Sequence, residues 1–396
     1  MTTATRTLYA EDALPRRARK VMTRGNTRST LFVPPAPPYA VRGEGAHVID
    51  QLGGRVIDAN NNYTSLIHGH AQPQIAAAIT GLLEDGTAFG LPTESDVALA
   101  ELLAARTGHA RWRFSNSGTE AVMTAVRAAR AYTGRDILIR FEGSYHGTFD
   151  AVVSTTAPGI TAGVRADVIE LPQGDAEAFD AAIAEHGDRV AAVLIDLMPN
   201  RAGLVPADPA FVDLIREATR AVGALMIVDE VISLRLSLGG LAAEYGAEPD
   251  LITAGKIIGG GFPVGAVGGR ADILAVFDPL ASTSVGWGGT FSGNPVTMTA
   301  GRVAMQLFDA EAVERLNGAG DRLRESLLAS GVAVTGRGSL MRLREPGDSA
   351  ELWWAAYERG VMIGTNGLIA LSTAMTEHDL ATIEDSIVKA AAQGRR

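Results

Sequence analysis

Apolar and polar positions follow one pattern in the middle of the chain and another at its ends. Between about residues 70 and 290, short apolar runs are separated by stretches with apolar residues at helical spacing. The runs predict buried strands at 111–116, 136–141, 189–196, 223–229 and 250–255, with helices such as 119–132 and 208–222 between several of them. Strands that alternate with helices form a mainly parallel sheet, so this region is predicted to have an α/β fold.

The pattern of apolar and polar positions is different at the two ends of the chain. Residues 46–59 alternate in strand fashion around a Gly-Gly turn, which indicates a hairpin. After the last apolar run, a long helix at 294–330 is predicted, followed by strands and helices typical of a smaller α+β domain. We therefore predict a large domain, 61–290, and a small domain formed by 1–60 and 291–396.

Composition excludes several kinds of partner and site. The 396 residues carry a net charge of −10, which leaves no basic surplus for nucleic acid or an anionic membrane. The chain has no cysteine, and His68 and His70 have no third ligand nearby, so no metal site is predicted. No apolar run approaches the ~20 residues of a membrane span. The arginine-rich N-terminus lacks the apolar core of a targeting peptide, so the cytoplasm is the expected compartment.

Lys256 stands between the apolar run "LITAG" and the glycine-rich "IIGGGFPVGAVGG". In an apolar pocket the pKa of a lysine falls, and the neutral amine is a nucleophile toward carbonyl groups. We therefore interpret Lys256 as a Schiff-base lysine, and the alternative is a lysine that reaches solvent from a strand end. A GxxxxGK[ST] phosphate loop is excluded, because Asp250 stands at the first glycine position and Ile257 follows the lysine.

Two further segments suggest the cofactor with which Lys256 would react. Asp229 ends an apolar strand, where open α/β sheets bind ligands. A buried aspartate needs a cationic partner, and the pyridine nitrogen of pyridoxal 5′-phosphate (PLP) is one. A helix cap or a salt bridge is the alternative. In "FSNSGTEAV" a tight turn opens a helix whose N-terminus can bind phosphate, and this is compatible with a capping box formed by Ser117 and Glu120.

Taken together, these segments resemble class III aminotransferases of PLP fold type I. Within that family they resemble the glutamate-1-semialdehyde aminomutase group and its relatives that act on β-amino acids. The matching segments are "GHAQPQIAAAI", "FSNSGTEAVMTAVRAARAYTGRDILIRFEGSYHG", "GALMIVDEVIS", "ITAGKIIGGGFPVGAVGG" and "GTFSGNPVTMTAG". The resemblance runs from about residue 20 to 390. It implies PLP as cofactor, and a large domain with a mainly parallel sheet beside a small α+β domain built from both ends of the chain.

The resemblance also implies roles for single residues toward the cofactor. Lys256 would bind PLP covalently and then move a proton between substrate and cofactor. Asp229 would pair with the pyridine nitrogen, and Tyr145 would stack on the ring. The residues expected to hold the phosphate are Ser117, Gly118, Thr119 and, from the neighbouring subunit, Thr290. A homodimer with shared active sites is therefore expected.

On the substrate side, the resemblance places Arg28 where relatives hold a carboxylate, and the guanidinium fork suits that planar group. A solvated arginine in an N-terminal arm is the alternative. Arg201, expected close to the substrate side, and Arg235 are lesser candidates. Asp196 and Leu197 stand where the family usually has a Glu-Pro pair, which weakens any contact that the glutamate makes near the cofactor.

The leading hypothesis is an aminotransferase, which moves an amino group between an amino donor and a ketone or aldehyde that bears a carboxylate. The alternative is an aminomutase of the glutamate-1-semialdehyde type, which shifts the amino group within one molecule. A lysine-dependent lyase or aldolase without PLP would leave Asp229 and the turn at Ser117 without a purpose. A catalytically silent relative that acts through dimer contacts is disfavoured by the intact Lys256 and Asp229.

Overall fold

The computed structural model describes residues 3–344 and 349–394. Residues 1–2, 345–348 and 395–396, which belong to the predicted small domain, lie outside the described residues. The chain divides into a larger unit, Gln74–Arg315, and a smaller unit formed by Met1–Pro73 and Leu316–Arg396. Both boundaries fall later in the chain than those drawn from the sequence.

The strands, in chain order, are β1 (Ala40–Glu44), β2 (His47–Asp50), β3 (Arg55–Asp58), β4 (Arg111–Ser115), β5 (Ile137–Phe141), β6 (Val168–Leu171), β7 (Val190–Ile195), β8 (Leu225–Asp229), β9 (Leu251–Gly255), β10 (Gly265–Gly269), β11 (Val334–Arg337), β12 (Leu340–Leu343), β13 (Val361–Met362) and β14 (Leu368–Ala370).

The helical segments are α1 (Thr3–Glu11), α2 (Ala13–Val21), α3 (Asn61–Thr64), α4 (Pro73–Leu82), α5 (Glu94–Thr107), α6 (Gly118–Thr133), α7 (Ala162–Ala166), α8 (Ala176–His186), α9 (Pro209–Val222), α10 (Leu241–Tyr245), α11 (Ala271–Leu274), α12 (Pro295–Leu307), α13 (Ala310–Ala329), α14 (Ser349–Tyr357) and α15 (Glu377–Gly394). Short 3₁₀ turns lie at Thr23–Gly25, Ser29–Leu31, Asp150–Val152, Ser233–Arg235, Lys256–Gly259 and Ala275–Phe277.

The larger unit contains a seven-stranded sheet with the order β4-β10-β9-β8-β7-β5-β6. Strands β5 to β9 pair in parallel, and β10 runs antiparallel to both of its neighbours. All five strands predicted from apolar runs are present, so the predicted α/β fold with a mainly parallel sheet is confirmed. The carboxyl ends of β5, β7, β8 and β9 meet at one edge, where ligands bind in sheets of this kind.

Strand β10 was not predicted, because its sequence "GAVGG" has few of the side chains that favour strands. Glycine is required in this strand because neighbouring chain segments approach its backbone closely. A Cβ on Gly265 would lie 1.9 Å from the carbonyl oxygen of Ser117, and a Cβ on Gly268 would lie 2.7 Å from the ring of Trp112. The strand therefore carries glycine because neighbouring chain segments occupy the space of its side chains.

The prediction of one long helix at 294–330 is wrong. The chain leaves the helical conformation at Phe308, with φ −95° and ψ 59°, and a second helix begins at Ala310. Asp309 starts that helix, because its Oδ1 accepts a hydrogen bond from the Ala312 amide at 2.9 Å. Helix α12 packs in the larger unit, where Ala300 and Ala304 form a cluster with Ile75.

The smaller unit contains two sheets, with the orders β1-β2-β3-β13 and β11-β12-β14. Strands β2 and β3 form an antiparallel pair, which confirms the predicted hairpin. Buried Asp50 accepts hydrogen bonds from the hydroxyls of Tyr9 at 2.8 Å and Tyr357 at 2.7 Å. Among the helices described, none is long and apolar enough to cross a membrane.

Candidate active site

Lys256 follows directly on β9, at the edge where the parallel strands end. Its backbone is left-handed, with φ +49°, a conformation that residues other than glycine rarely adopt. The side chain is half-buried. Burial lowers the pKa of its ammonium group, although the negative charges of Asp229 and Asp196 oppose that shift. The lowered pKa increases the fraction of neutral amine, as a nucleophile at this position requires.

Asp229 is the last residue of β8 and is 4% exposed. Its Oδ1 accepts hydrogen bonds from the Val231 amide at 3.0 Å and from Thr253 Oγ1 at 2.9 Å. Its Oδ2 accepts from His146 Nδ1 at 2.7 Å. Burial alone would raise the pKa of Asp229, but the contacts with His146, Val231 and Thr253 outweigh it and hold the pKa below its ordinary value. Asp229 is therefore ionised at neutral pH and able to accept a bond from a protonated ring nitrogen.

His146 is not among the residues predicted for the site, yet it is the direct partner of Asp229. Its ring is buried, and Nε2 has no hydrogen-bond partner within the part of the chain that the structure describes. The two residues are 83 positions apart, so no local spacing joins them. The available signal is topological, because His146 follows β5 and Asp229 ends β8 at the same edge of one sheet.

The turn Ser117–Thr119 begins helix α6. Ser117 Oγ accepts from the Glu120 amide at 3.2 Å, as predicted, but Glu120 Oε2 accepts from the amide of Asn116, one residue before the N-cap, at 2.6 Å, so only the serine half of the predicted capping box is present. The amides of Gly118 and Thr119 lie in the first helical turn, where amides have no partner within the helix. They lie at the positive end of the helix dipole, which suits a phosphate group.

Tyr145 and Arg201, predicted for cofactor and substrate respectively, are in contact. The guanidinium carbon of Arg201 lies 4.4 Å from the centroid of the Tyr145 ring, as in a cation–π pair. The turn before Tyr145 packs closely on the same loop, since a Cβ on Gly143 would lie 2.7 Å from that of Ala202. Both side chains are exposed.

Asp196 follows β7 and is buried one strand away from Asp229, in parallel strands where Ile195 pairs with Val228. Its Oδ1 accepts from the Met198 amide at 2.9 Å. Burial and the negative charge of Asp229 raise the pKa of Asp196 to about 7. A carboxyl that titrates near neutral pH therefore lies close to Lys256, and its position after a buried strand was the signal for it.

We expect Asp196→Asn to remove a pH dependence of folding stability. The folded protein raises the pKa from 3.8 to about 7, so it holds this proton more tightly than the unfolded chain does. The stability that this carboxyl contributes is present below its unfolded pKa and is lost as pH rises toward 7, by at most about 1.4 kcal/mol per pH unit. Urea unfolding of both apoproteins should therefore show the stability of the variant rising relative to that of the wild type from about pH 4 to about pH 7. Parallel pH curves would contradict this.

The remaining residues predicted for the site are Thr290, Arg28 and Arg235. Thr290 is exposed in a turn of the larger unit, beside Ser292, whose Oγ accepts from Asn116 Nδ2 at 3.5 Å. Arg28 belongs to the smaller unit, where its Nη1 donates to Asn62 Oδ1 at 2.9 Å. Arg235 is fully buried, which lowers its pKa to about 9 and argues against direct contact with substrate.

The larger unit thus gathers the groups that PLP needs at one sheet edge. A lysine of lowered pKa, an ionised acid and a helix N-terminus suit its aldehyde, its pyridine nitrogen and its phosphate. His146 Nδ1 supports the acid at 2.7 Å, while its buried Nε2 has no partner among the described residues. No cluster of three metal-binding side chains occurs in residues 3–344 and 349–394.

Comparison with known proteins identifies the family of this chain. Residues 33–390 match the class III aminotransferase family. A curated relative, glutamate-1-semialdehyde 2,1-aminomutase of Heliobacterium modesticaldum, is 41% identical over 284 residues, which cover 68% of this chain and 65% of that protein. The chain therefore spans about two thirds of the length of that relative.

Two solved structures are similar over nearly the whole chain. An omega-transaminase from Sphaerobacter thermophilus is 42% identical, with a TM-score of 0.94 and coverage of 98% of this chain and 100% of that one. A β-phenylalanine aminotransferase from Variovorax paradoxus is 34% identical, with a TM-score of 0.88 and coverage of 97% and 94%. This chain belongs to the class III aminotransferases, whose cofactor is PLP.

Proposed function

We propose that the protein is an aminotransferase that moves an amino group from an amino donor to a ketone or aldehyde bearing a carboxylate. The observation that carries the proposal is the half-buried Lys256, of lowered pKa, at the end of the strand beside the one that ends in the ionised Asp229. When bound, PLP supplies an aldehyde to carry the amino group and a ring that withdraws electrons from the neighbouring carbon.

The side chains of the larger unit have separate tasks in this reaction. Lys256 Nζ would hold the cofactor and, when not bonded to it, would move a proton from the substrate carbon that bears the nitrogen to the carbon on the other side of that nitrogen. Asp229 keeps the ring nitrogen protonated, and His146 fixes the orientation of that carboxylate. The amides of Gly118 and Thr119 bind the phosphate, and the Tyr145 ring covers the cofactor.

The substrate class follows from Arg28 and from the similar structures. Within the described residues no acidic side chain forms an ion pair with Arg28, so its charge is available to a substrate carboxylate. The likeness to a β-phenylalanine aminotransferase supports substrates whose amino group is not on the carbon next to the carboxylate. The substrates proposed are therefore β-amino acids and the corresponding keto acids.

The test is a half-reaction with one amino donor at a time and no acceptor. We expect the absorbance of the holoenzyme to change from the aldehyde form of PLP to the amine form, with one equivalent of keto product per active site. A keto acid added afterwards should restore the first spectrum. A donor panel that includes β-amino acids and produces no such change would contradict the proposal.

An aminomutase is the second candidate, because a curated relative bears that name. Such an enzyme would convert its single substrate through many turnovers without a co-substrate. The same experiment separates the two functions, since an aminotransferase stops after one equivalent when the acceptor is absent.

A homodimer located in the cytoplasm is also proposed. Leu280 is 92% exposed, Leu91 is 77% exposed, and Phe291 beside Thr290 is exposed as well. The segments around Leu91 and Thr290 line one cavity of about 240 Å³. Exposed apolar side chains in this number favour burial against a second subunit. Sedimentation should therefore give twice the chain mass of 41.4 kDa, and a monomer active at all concentrations would contradict it.

A further inference from the structure

Four consecutive residues of the smaller unit, here called the left-handed turn, have positive φ: Asn61 (51°), Asn62 (49°), Tyr63 (54°) and Thr64 (76°). Asparagine visits this region more readily than most residues, whereas tyrosine and β-branched threonine rarely do. Backbone strain of this kind persists only where the surroundings hold it, and it occurs most often at functional elements. The strain therefore raises the question of what the turn does.

The beginning of the left-handed turn is fixed by a buried carboxylate. Asp58 Oδ1 accepts from the amides of Asn60 at 3.0 Å and Asn61 at 2.7 Å, and its Oδ2 lies 2.8 Å from His70 Nε2. Asn60 Oδ1 in turn accepts from the Tyr63 amide at 2.6 Å. These bonds hold the strained backbone in one conformation.

The exposed side of the left-handed turn holds Arg28. Asn62 Oδ1 accepts from Arg28 Nη1 at 2.9 Å, and the guanidinium carbon lies 5.9 Å from the centroid of the Tyr63 ring. The hydroxyl of Tyr63 donates to the Thr30 carbonyl at 2.5 Å, and Thr365 Oγ1 donates to the same oxygen at 2.8 Å. The turn thus fixes both the guanidinium and the backbone that carries it.

The contacts leave Arg28 suited to an anion. A guanidinium has five N–H donors, and the bond to Asn62 uses one of them. Asn62 is neutral, so it orients the guanidinium without compensating its charge. A carboxylate in the place of that amide would neutralise Arg28 and compete with an anionic substrate.

We propose that the left-handed turn positions Arg28 for the substrate carboxylate, with Asn62 and Tyr63 as positioning residues that set the preference for carboxylate-bearing substrates. The inference rests on the proposed function, in which Arg28 binds that carboxylate. It adds that recognition depends on the strained backbone of residues that do not themselves touch the carboxylate.

The test compares two amines of the same shape, β-aminobutyrate and sec-butylamine, which has a methyl group in place of the carboxylate. The kcat/KM of the half-reaction is measured for each amine by rapid-mixing absorbance of the holoenzyme, and the ratio of the two values is the preference for the carboxylate. We expect Asn62→Gly to lower this preference about tenfold, because one hydrogen bond to a charged group is lost. Glycine accepts positive φ without strain, so the variant should unfold at an equal or higher urea concentration than the wild type. Asn62→Asp should lower the preference further.

Ala71→Gly is the matched control, because Ala71 is exposed with φ 50° and replacing it relieves strain without a change at Arg28. Its preference should equal that of the wild type. If Asn62→Gly keeps the wild-type preference while Arg28→Ala loses it, the positioning role of the left-handed turn is refuted. The proposed carboxylate site at Arg28 would still stand. An unchanged preference in Arg28→Ala, or no preference in the wild type, would overturn the proposed carboxylate site and the inference with it.

Discussion

Replacing Lys256 by alanine is expected to lower kcat by about four orders of magnitude or more, because the variant lacks both the amine that binds the cofactor and the base that moves the proton. The fold should persist, since alanine removes a half-buried side chain without adding volume. Steady-state kinetics with an active donor and acceptor pair measure the loss, and a urea unfolding curve checks the fold.

The lysine content of the chain provides a sharp control for this variant. There are three lysines, Lys20, Lys256 and Lys389, and Lys389 is exposed and paired with Asp385. Borohydride reduction of the holoenzyme should attach the cofactor to the peptide that contains Lys256 and to neither of the others. The variant Lys389→Ala should keep full activity. Labelling at another lysine, or turnover by Lys256→Ala near the wild-type rate, would refute the assignment.

Replacing Asp229 by asparagine is expected to lower kcat about 10²–10⁴-fold, because a neutral amide does not hold the ring nitrogen in its protonated form. Asparagine keeps the size of the side chain and can still accept a bond from His146 through its oxygen. The loss should therefore concern chemistry more than folding. Rapid-mixing absorbance of the half-reaction measures the step directly.

Asp208→Asn is the matched control for the Asp229 variant. Asp208 is an exposed N-cap whose Oδ1 accepts from the Ala210 amide at 3.0 Å, and asparagine caps helices equally well. Its rates should equal those of the wild type. If Asp229→Asn also retained wild-type rates with bound cofactor, Asp229 would have no electronic role.

The fold was predictable wherever burial alone dictated the residue type. The strands that end at Ile195, Asp229 and Gly255 are continuous apolar runs, and they were found within one or two residues. Strand β10 was missed because the crowding at Gly265 comes from Ser117, which is remote in sequence. The break at Phe308 was missed because it depends on a single capping side chain, which helical periodicity does not reveal.

The residues of the candidate site also fall into two groups, those that the sequence predicts and those that it does not. Lys256 and Asp229 were found because each ends an apolar run with a charge, which is unusual without a partner. His146 and Asp196 were missed or undervalued, since their importance arises from neighbouring strand ends that meet only in the sheet. The strain of the left-handed turn has no sequence signal either, because Tyr63 and Thr64 disfavour the conformation that they adopt.

The close approach of Gly265 to Ser117 bears on how the protein acquires its cofactor during folding. The two residues are 148 positions apart (265 − 117), and they meet because β10 lies between β4 and β9 in the sheet. Contacts between residues so distant in sequence form slowly, so we expect this part of the sheet to form late in folding. Until then the turn for the phosphate and the strand for the lysine are not held together. A newly made chain would therefore remain colourless through most of its folding and turn yellow only at the end, so its colour would report completed folding.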